Sequence, residues 1–124
     1  MNKCLLIIDD NKIARMVLSR QLGQAGYEIE EAATGPLGLT CLMRRPVDLV
    51  LLDFVMQPLT GLDVLQRLRR GYSPQELPVF MMSSTKDDRL VQSAIALGVN
   101  DFFFRPFQLS DMLERVHQKL DDRA

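Results

Sequence analysis

A few residues of this 124-residue chain stand where their side chains could do chemistry together. Asp9 and Asp10 stop the apolar run that starts at Cys4, Asp53 nearly ends the run 49–54, Ser83 and Ser84 follow the run 79–82, and Arg105 follows the run 102–104. Each is a polar group at the end of a stretch whose side chains favour burial. If these ends meet, three carboxylates share one pocket, and like charges at close range disfavour one another's ionised form until a cation joins them. An all-oxygen donor set with few carboxylates suits Mg2+, which keeps several of its own waters. A bound divalent cation is the expected resolution. The blander reading, that Asp9 and Asp10 only cap the next helix, suits a single Asp and is weak for a strand-terminal pair matched by a third carboxylate elsewhere.

For these ends to meet, the runs must lie side by side and point the same way. The runs 4–8, 27–33, 49–54, 79–82 and 102–104 are evenly spaced, and apart from Asp53 the last three are continuously apolar, as in parallel strands covered on both faces. Only the second alternates, through Tyr27, Glu28, Ile29 and Glu30, so it is expected nearer an edge. Between the runs lie helical patterns. Ala14, Val17, Leu18, Leu22 and Ala25 share one face, with Gly26 as a stop, and Leu109, Met112, Leu113, Val116 and Leu120 form the stripe of the last helix. Helices also fit 36–44, 62–69 and 87–97; Gly98 ends the third of these, and Thr60 and Thr85 lie near two starts as possible caps. The order βαβαβαβαβα predicts an α/β fold, a doubly wound five-stranded parallel sheet, (βα)5, in a flavodoxin-like three-layer sandwich. In such sheets ligands sit outside the carboxyl ends of the strands, where strand order reverses, and the acidic trio falls there.

Composition sets the bounds. The length predicts one domain, 1–124, burying about two thirds of its unfolded surface, and 47% hydrophobic with 25% charged residues excludes disorder. No apolar run approaches the roughly 18 residues that span a bilayer, and the first is too brief for a signal peptide, so no membrane role and a cytoplasmic location are expected. A net charge of −1 lacks the basic excess of a nucleic-acid-binding surface, although 11 of the 15 cations are Arg; no direct nucleic-acid binding is expected. Cys4 and Cys41 form no C-x-x-C pair and read as reduced thiols. His117 borders the apolar stripe of the last helix and reads as a solvated flank. Arg67, Arg69 and Arg70 read as a solvated helix end that complements the dipole. A nucleotide binder or hydrolase lacks support: there is no Gly-rich phosphate loop, no G-x-S-x-G elbow and no H-E-x-x-H.

The motifs resemble, over the whole chain, the receiver domain of two-component response regulators. Leu5-Leu6-Ile7-Ile8-Asp9-Asp10 is similar to that family's first strand with its acidic pair, and Asp48-Leu49-Val50-Leu51-Leu52-Asp53 to the strand bearing the phospho-acceptor. Met56 and Gly61 follow Asp53 at the family spacing, Ser83 stands at the hydroxyl position, and Asn100-Asp101-Phe102-Phe103-Phe104-Arg105-Pro106-Phe107 resembles the fifth strand and its Lys-Pro-Phe ending. The resemblance implies phosphoryl transfer from a phosphohistidine to Asp53 with Mg2+. Asp10 and Asp53 would be direct metal ligands, Asp9 a ligand through water and Val55 a ligand through its carbonyl. Ser83 would donate to the phosphoryl group, Arg105 would balance its charge, and Ser83 with Phe102 would form the switch. The implied partners are a sensor histidine kinase or a histidine phosphotransfer protein, docking on Ile13, Met16, Pro106 and Phe107. A phosphorylation-dependent homodimer would use the fourth helix, fifth strand and fifth helix, with Arg89, Gln92, Phe102, Asp111 and Arg115.

Three positions depart from the family. Arg105 replaces a lysine, Phe102 replaces the tyrosine found at many switch positions, and Gln57 separates Met56 from Pro58. An Arg105 fork gripping Asp53 by two parallel bonds would compete with Mg2+. These departures also support a rival, an atypical receiver acting as a phosphorylation-independent interaction module. Retention of all three acidic residues and of Ser83 argues against it, since buried carboxylates without a ligand are costly.

Overall fold

A computed structural model describes residues 2–121; Met1 and residues 122–124, part of the expected single domain, lie outside the described residues. The elements are β1 (Cys4–Ile8), α1 (Lys12–Gln24), β2 (Glu28–Ala32), α2 (Gly35–Arg44), β3 (Leu49–Asp53), α3 (Gly61–Leu68), β4 (Val79–Ser83), α4 (Asp88–Ala96), β5 (Asp101–Phe104) and α5 (Leu109–Asp121). All strand pairings are parallel, in the order β2-β1-β3-β4-β5. This is the expected doubly wound sheet, with the alternating strand β2 at one edge. Strand order reverses between β1 and β3.

Alternation along the strands divides the core into two layers. Leu6, Ile8, Val50, Leu52, Val79 and Met81 meet Val64, Leu65 and Leu68 of α3 and Ala94 of α4, with Leu39 and Leu42 of α2 beside them. Leu5, Ile7, Leu49, Leu51, Phe80, Met82 and Phe103 face the other way, onto Leu18 and Leu22 of α1 and Met112, Val116 and Leu120 of α5. Every residue of β1, β3 and β4 is buried, which explains why those runs could carry almost no polar residue.

The helix starts follow local chemistry. Asn11 caps α1 by accepting from the Ala14 N–H, Thr34 caps α2, and Thr60 with Asp63 forms a reciprocal capping box at α3. Thr85 does not cap α4. Asp87 does, accepting from the Arg89 N–H, while the Thr85 N–H donates to Ser83 Oγ. Gly26 and Gly98, expected as stops, carry positive φ of 103° and 89°.

Two surface expectations need correction. On α1 only Leu18 and Leu22 of the expected core face are buried; Val17 is 46% exposed, because it borders an open groove rather than a packed neighbour, and Ala25 is exposed past the last turn. Arg69 is not a solvated helix end. Its guanidinium donates to the carbonyls of Gly98, Tyr72, Ser73 and Leu77 and to Asn100 Oδ1, tying α3 to the loops before β4 and β5. His117 is exposed as expected, yet it shares hydrogen bonds with the Tyr27 hydroxyl at 3.3 Å and Asp121 at 3.1 Å. Both cysteines are free, Cys4 buried and Cys41 half-buried. Among the described residues, no helix is long and apolar enough to cross a membrane.

Candidate functional site

The register builds the site. Ile8 lies beside Leu52, so Asp9 emerges next to Asp53 at the point where strand order reverses; Asp53 in turn lies beside Met82, and Ser83 beside Phe104. Alternation sends Asp9 with Ile7, Asp53 with Leu51 and Arg105 with Phe103 toward the α1 and α5 side, whereas Ser83 follows Met81 toward the α3 and α4 side. Carboxylate oxygens of Asp9, Asp10 and Asp53 all lie within 4.8 Å of one another. Asp9 and Asp53 are buried and Asp10 is exposed at the mouth. The trio expected from the strand ends is therefore brought together.

Arg105 reaches into the trio differently from the two-pronged grip on Asp53 expected above. Its Nη1 donates to Asp53 Oδ1 at 3.0 Å and its Nη2 to Asp9 Oδ2 at 2.9 Å, so the fork spans both buried carboxylates. The other Asp9 oxygen, Oδ1, accepts from the Asn11 N–H at 2.9 Å. Burial pushes the Asp53 carboxyl up to about 6; the neighbouring Asp9 charge adds to the rise, and the Arg105 hydrogen bond limits it.

Ser83 and Phe102 sit apart from this contact. The Ser83 hydroxyl accepts from the Thr85 N–H at 2.9 Å and donates to the Thr85 carbonyl at 3.2 Å, closing the turn after β4. Phe102 is half-buried against Phe104, centroids 5.1 Å apart, and Phe54, 6.3 Å apart. Val55 lies in the bend after Asp53, 62% exposed, and Met56 turns back into the core. Gly61 approaches that bend closely: its N–H donates to the Phe54 carbonyl at 2.8 Å, and a Cβ there would stand 2.5 Å from the Asp53 carbonyl oxygen. Ile13 and Met16 are exposed, at 74% and 48%, on a patch with Val17, Arg20 and Gln21. Pro106 and Phe107 line a groove of about 510 Å³ with Ala14, Val17, Leu18, Ser84, Arg105 and Leu109.

Sequence reasoning missed Arg15. Its Nη1 donates to the Asp9 carbonyl at 2.7 Å while its Nε pairs with Glu31 at 3.0 Å, and Ser19 donates to the same Glu31 carboxylate. The guanidinium thus anchors the peptide between the two acidic residues to the edge strand. A buried-facing Arg beside Ala14 on α1 was its only signal.

Comparisons with known proteins give the family and the fold. The family described as "Response regulator receiver domain" matches residues 5–117, and the chain belongs to that family. It is 30% identical to the two-component response regulator ORR3 of Oryza sativa, over 87% of this chain and 83% of that protein. It is 31% identical to the DNA-binding dual master transcriptional regulator RpaA of Synechocystis, over 94% of this chain but only 48% of that protein, so it spans about half of that longer relative. Its fold superposes with a TM-score of 0.93 on a CheY-like receiver domain protein from Methanospirillum hungatei, 24% identical, covering 99% and 97% of the two chains. As a family, receiver domains accept phosphoryl groups, bind Mg2+ at an acidic pocket and interact with histidine kinases or phosphotransfer proteins.

Proposed function

We propose that Asp53 is the phosphoryl acceptor of this receiver and that Asp9, Asp10, Asp53 and the Val55 carbonyl hold Mg2+. The observation that carries the reading is the convergence of three carboxylates at the strand-order reversal, two of them buried. The donor set fits the ion, since the residues offer only hard oxygens, with one carboxylate oxygen from each Asp within 4.8 Å of the others. When bound, Mg2+ supplies positive charge that neutralises the phosphoryl oxygens. The rest falls to the chain. An ionised Asp53 oxygen attacks phosphorus in line, the new O–P bond forms as the P–N bond of the phosphohistidine breaks, and the electron pair leaves on the imidazole, which takes a proton from solvent. Asp53 titrates near 6, so it is mostly ionised and nucleophilic at neutral pH. Ser83 would donate to the phosphoryl group after its hydroxyl turns from Thr85, and Arg105 would balance the added charge.

Ile13 and Met16, with Pro106 and Phe107, form the surface for a histidine-bearing donor, a kinase or a phosphotransfer protein. The exposure of Ile13, Met16 and Pro106 beside the pocket, with half-buried Phe107 lining the adjoining groove, supports this. Output is assigned to the α4–β5–α5 face, and the location to the cytoplasm. On that face Arg115 already holds Asp101 within the chain, at 2.9 and 3.0 Å, which leaves Arg89, Gln92, Asp111 and Phe102 for a phosphorylation-dependent second copy. The phosphorylation-independent reading draws on one observation, the Arg105 fork across Asp9 and Asp53. Intact-mass measurement after incubation with acetyl phosphate, with and without Mg2+, separates the two. One added phosphoryl group that requires Mg2+ and disappears in Asp53→Asn is expected; no uptake, or uptake that survives the substitution, overturns the proposal.

A further inference from the structure

The acidic pocket already contains a cation that belongs to the chain. Arg105 spans two buried carboxylates with one nitrogen on each, and its side chain is only 24% exposed. With Asn11 on Oδ1 and Arg105 on Oδ2, both oxygens of Asp9 are taken. Oδ1 of Asp53 is taken as well. A lysine could reach two carboxylates only from one nitrogen. Its ammonium is a single charged point on a flexible stem, whereas the guanidinium is a rigid planar fork whose two terminal nitrogens can serve two acceptors at once.

We propose that Arg105 is an internal latch, an arginine that holds Asp9 and Asp53 in place of the metal, so that Mg2+ binds at full strength only when the fork lets go. The inference rests on the reading that the metal site is this acidic trio. A path out exists: Arg105 also lines the open groove with Ala14, Val17, Ser84, Pro106, Phe107 and Leu109, so its head can turn toward solvent without crossing the core. Asp10, exposed and outside the latch, is left as the first carboxylate a cation meets. Because Arg105 neutralises and holds carboxylates that the metal would draw on, latch and metal compete, and each weakens the other by the same factor.

Titration calorimetry of Mg2+ into the metal-free parent and into Arg105→Lys tests this, because lysine keeps the charge and removes only the fork. Tightening of at least tenfold in Arg105→Lys is expected. A second readout follows the Arg105 side-chain nitrogens by NMR in the parent: slowed guanidinium rotation without metal, lost on saturation with Mg2+. Equal or weaker Mg2+ affinity in Arg105→Lys, or guanidinium signals unmoved by saturating Mg2+, overturns the latch. Neither readout depends on phosphorylation. Failure of Asp53 to accept a phosphoryl group would therefore fail the proposed acceptor role alone, and unchanged affinities would fail the latch alone.

Discussion

Asp53→Asn separates the cost of burying a carboxylate from its chemical use. The Asp53 carboxyl titrates near 3.8 when exposed and near 6 in the fold, chiefly because burial disfavours its charge. Between those values the native state holds a proton that the unfolded chain has lost, so stability falls as pH rises through the window and is constant above it. The penalty is absent below about pH 4 and complete above about pH 6.5. At about 1.4 kcal/mol per pH unit, the difference of roughly two units is worth about 3 kcal/mol, and this already includes the help given by Arg105. Asparagine has nearly the shape of the protonated carboxyl and keeps an oxygen for Arg105. The variant should therefore be more stable by about 2–3 kcal/mol at pH 7.5, roughly 10 °C in Tm for a chain of this size, and equal to the parent at pH 4. Thermal and urea unfolding from pH 4 to 8 in the presence of EDTA would measure it. A parent as stable as the variant at pH 7.5, or a gap of the same size at both ends of the range, would refute the burial argument.

Ile13→Ser combined with Met16→Ser should slow phosphoryl transfer from a histidine-bearing donor at least tenfold while leaving acetyl phosphate uptake unchanged; equal rates from the protein donor would remove the docking surface. Light scattering with and without a beryllofluoride phosphoryl mimic should show a monomer shifting toward a dimer, and an unchanged mass would leave only a different partner for the α4–β5–α5 face. Gly61→Ala should cost about 1–3 kcal/mol in urea unfolding and lower phosphoryl uptake, because its Cβ meets the backbone of Asp53 and Phe54 rather than a side chain that could move aside. Unchanged stability would mean that the bend yields freely.

What was legible in the sequence is what depends on pattern. The runs 4–8 and 49–54 announced themselves because a central parallel strand is covered on both faces, and the acidic residues stood out because they interrupt those runs. The α5 stripe was legible for the same reason: Met112, Val116 and Leu120 face one continuous surface and are all buried. On α1 the periodic face overran the surface that covers it, and Val17 was left over the groove. Arg69 was illegible because its partners are largely backbone carbonyls, which no residue type signals, and Arg15 because it joins one such carbonyl to a carboxylate 16 positions away. The split grip of Arg105 joins residues 52 and 96 positions away, and only the register of β1, β3 and β5 decides that its fork meets two carboxylates rather than one.

That register also limits how the proposed switch can work. Asp53, Asp9 and Arg105 belong to the α1 and α5 side of the sheet, and Phe102 packs on the α3 and α4 side, so a charge added at Asp53 does not touch Phe102 directly. The connection runs through Phe54, which follows Asp53 in the chain and packs against the Phe102 ring. A tyrosine at this position could exchange a hydrogen bond as it moved; Phe102 can only exchange ring contacts. Aromatic pairs are worth about 0.5–1.5 kcal/mol beyond their buried area, so repacking Phe102 against Phe54 and Phe104 can bias two states by a few-fold to about tenfold. A shift from 1:99 to 99:1 needs about 5.5 kcal/mol, well beyond that range. Phosphorylation through these rings alone would therefore tilt the α4–β5–α5 face rather than reset it, and a large response would have to draw on the partner's own preference for one state.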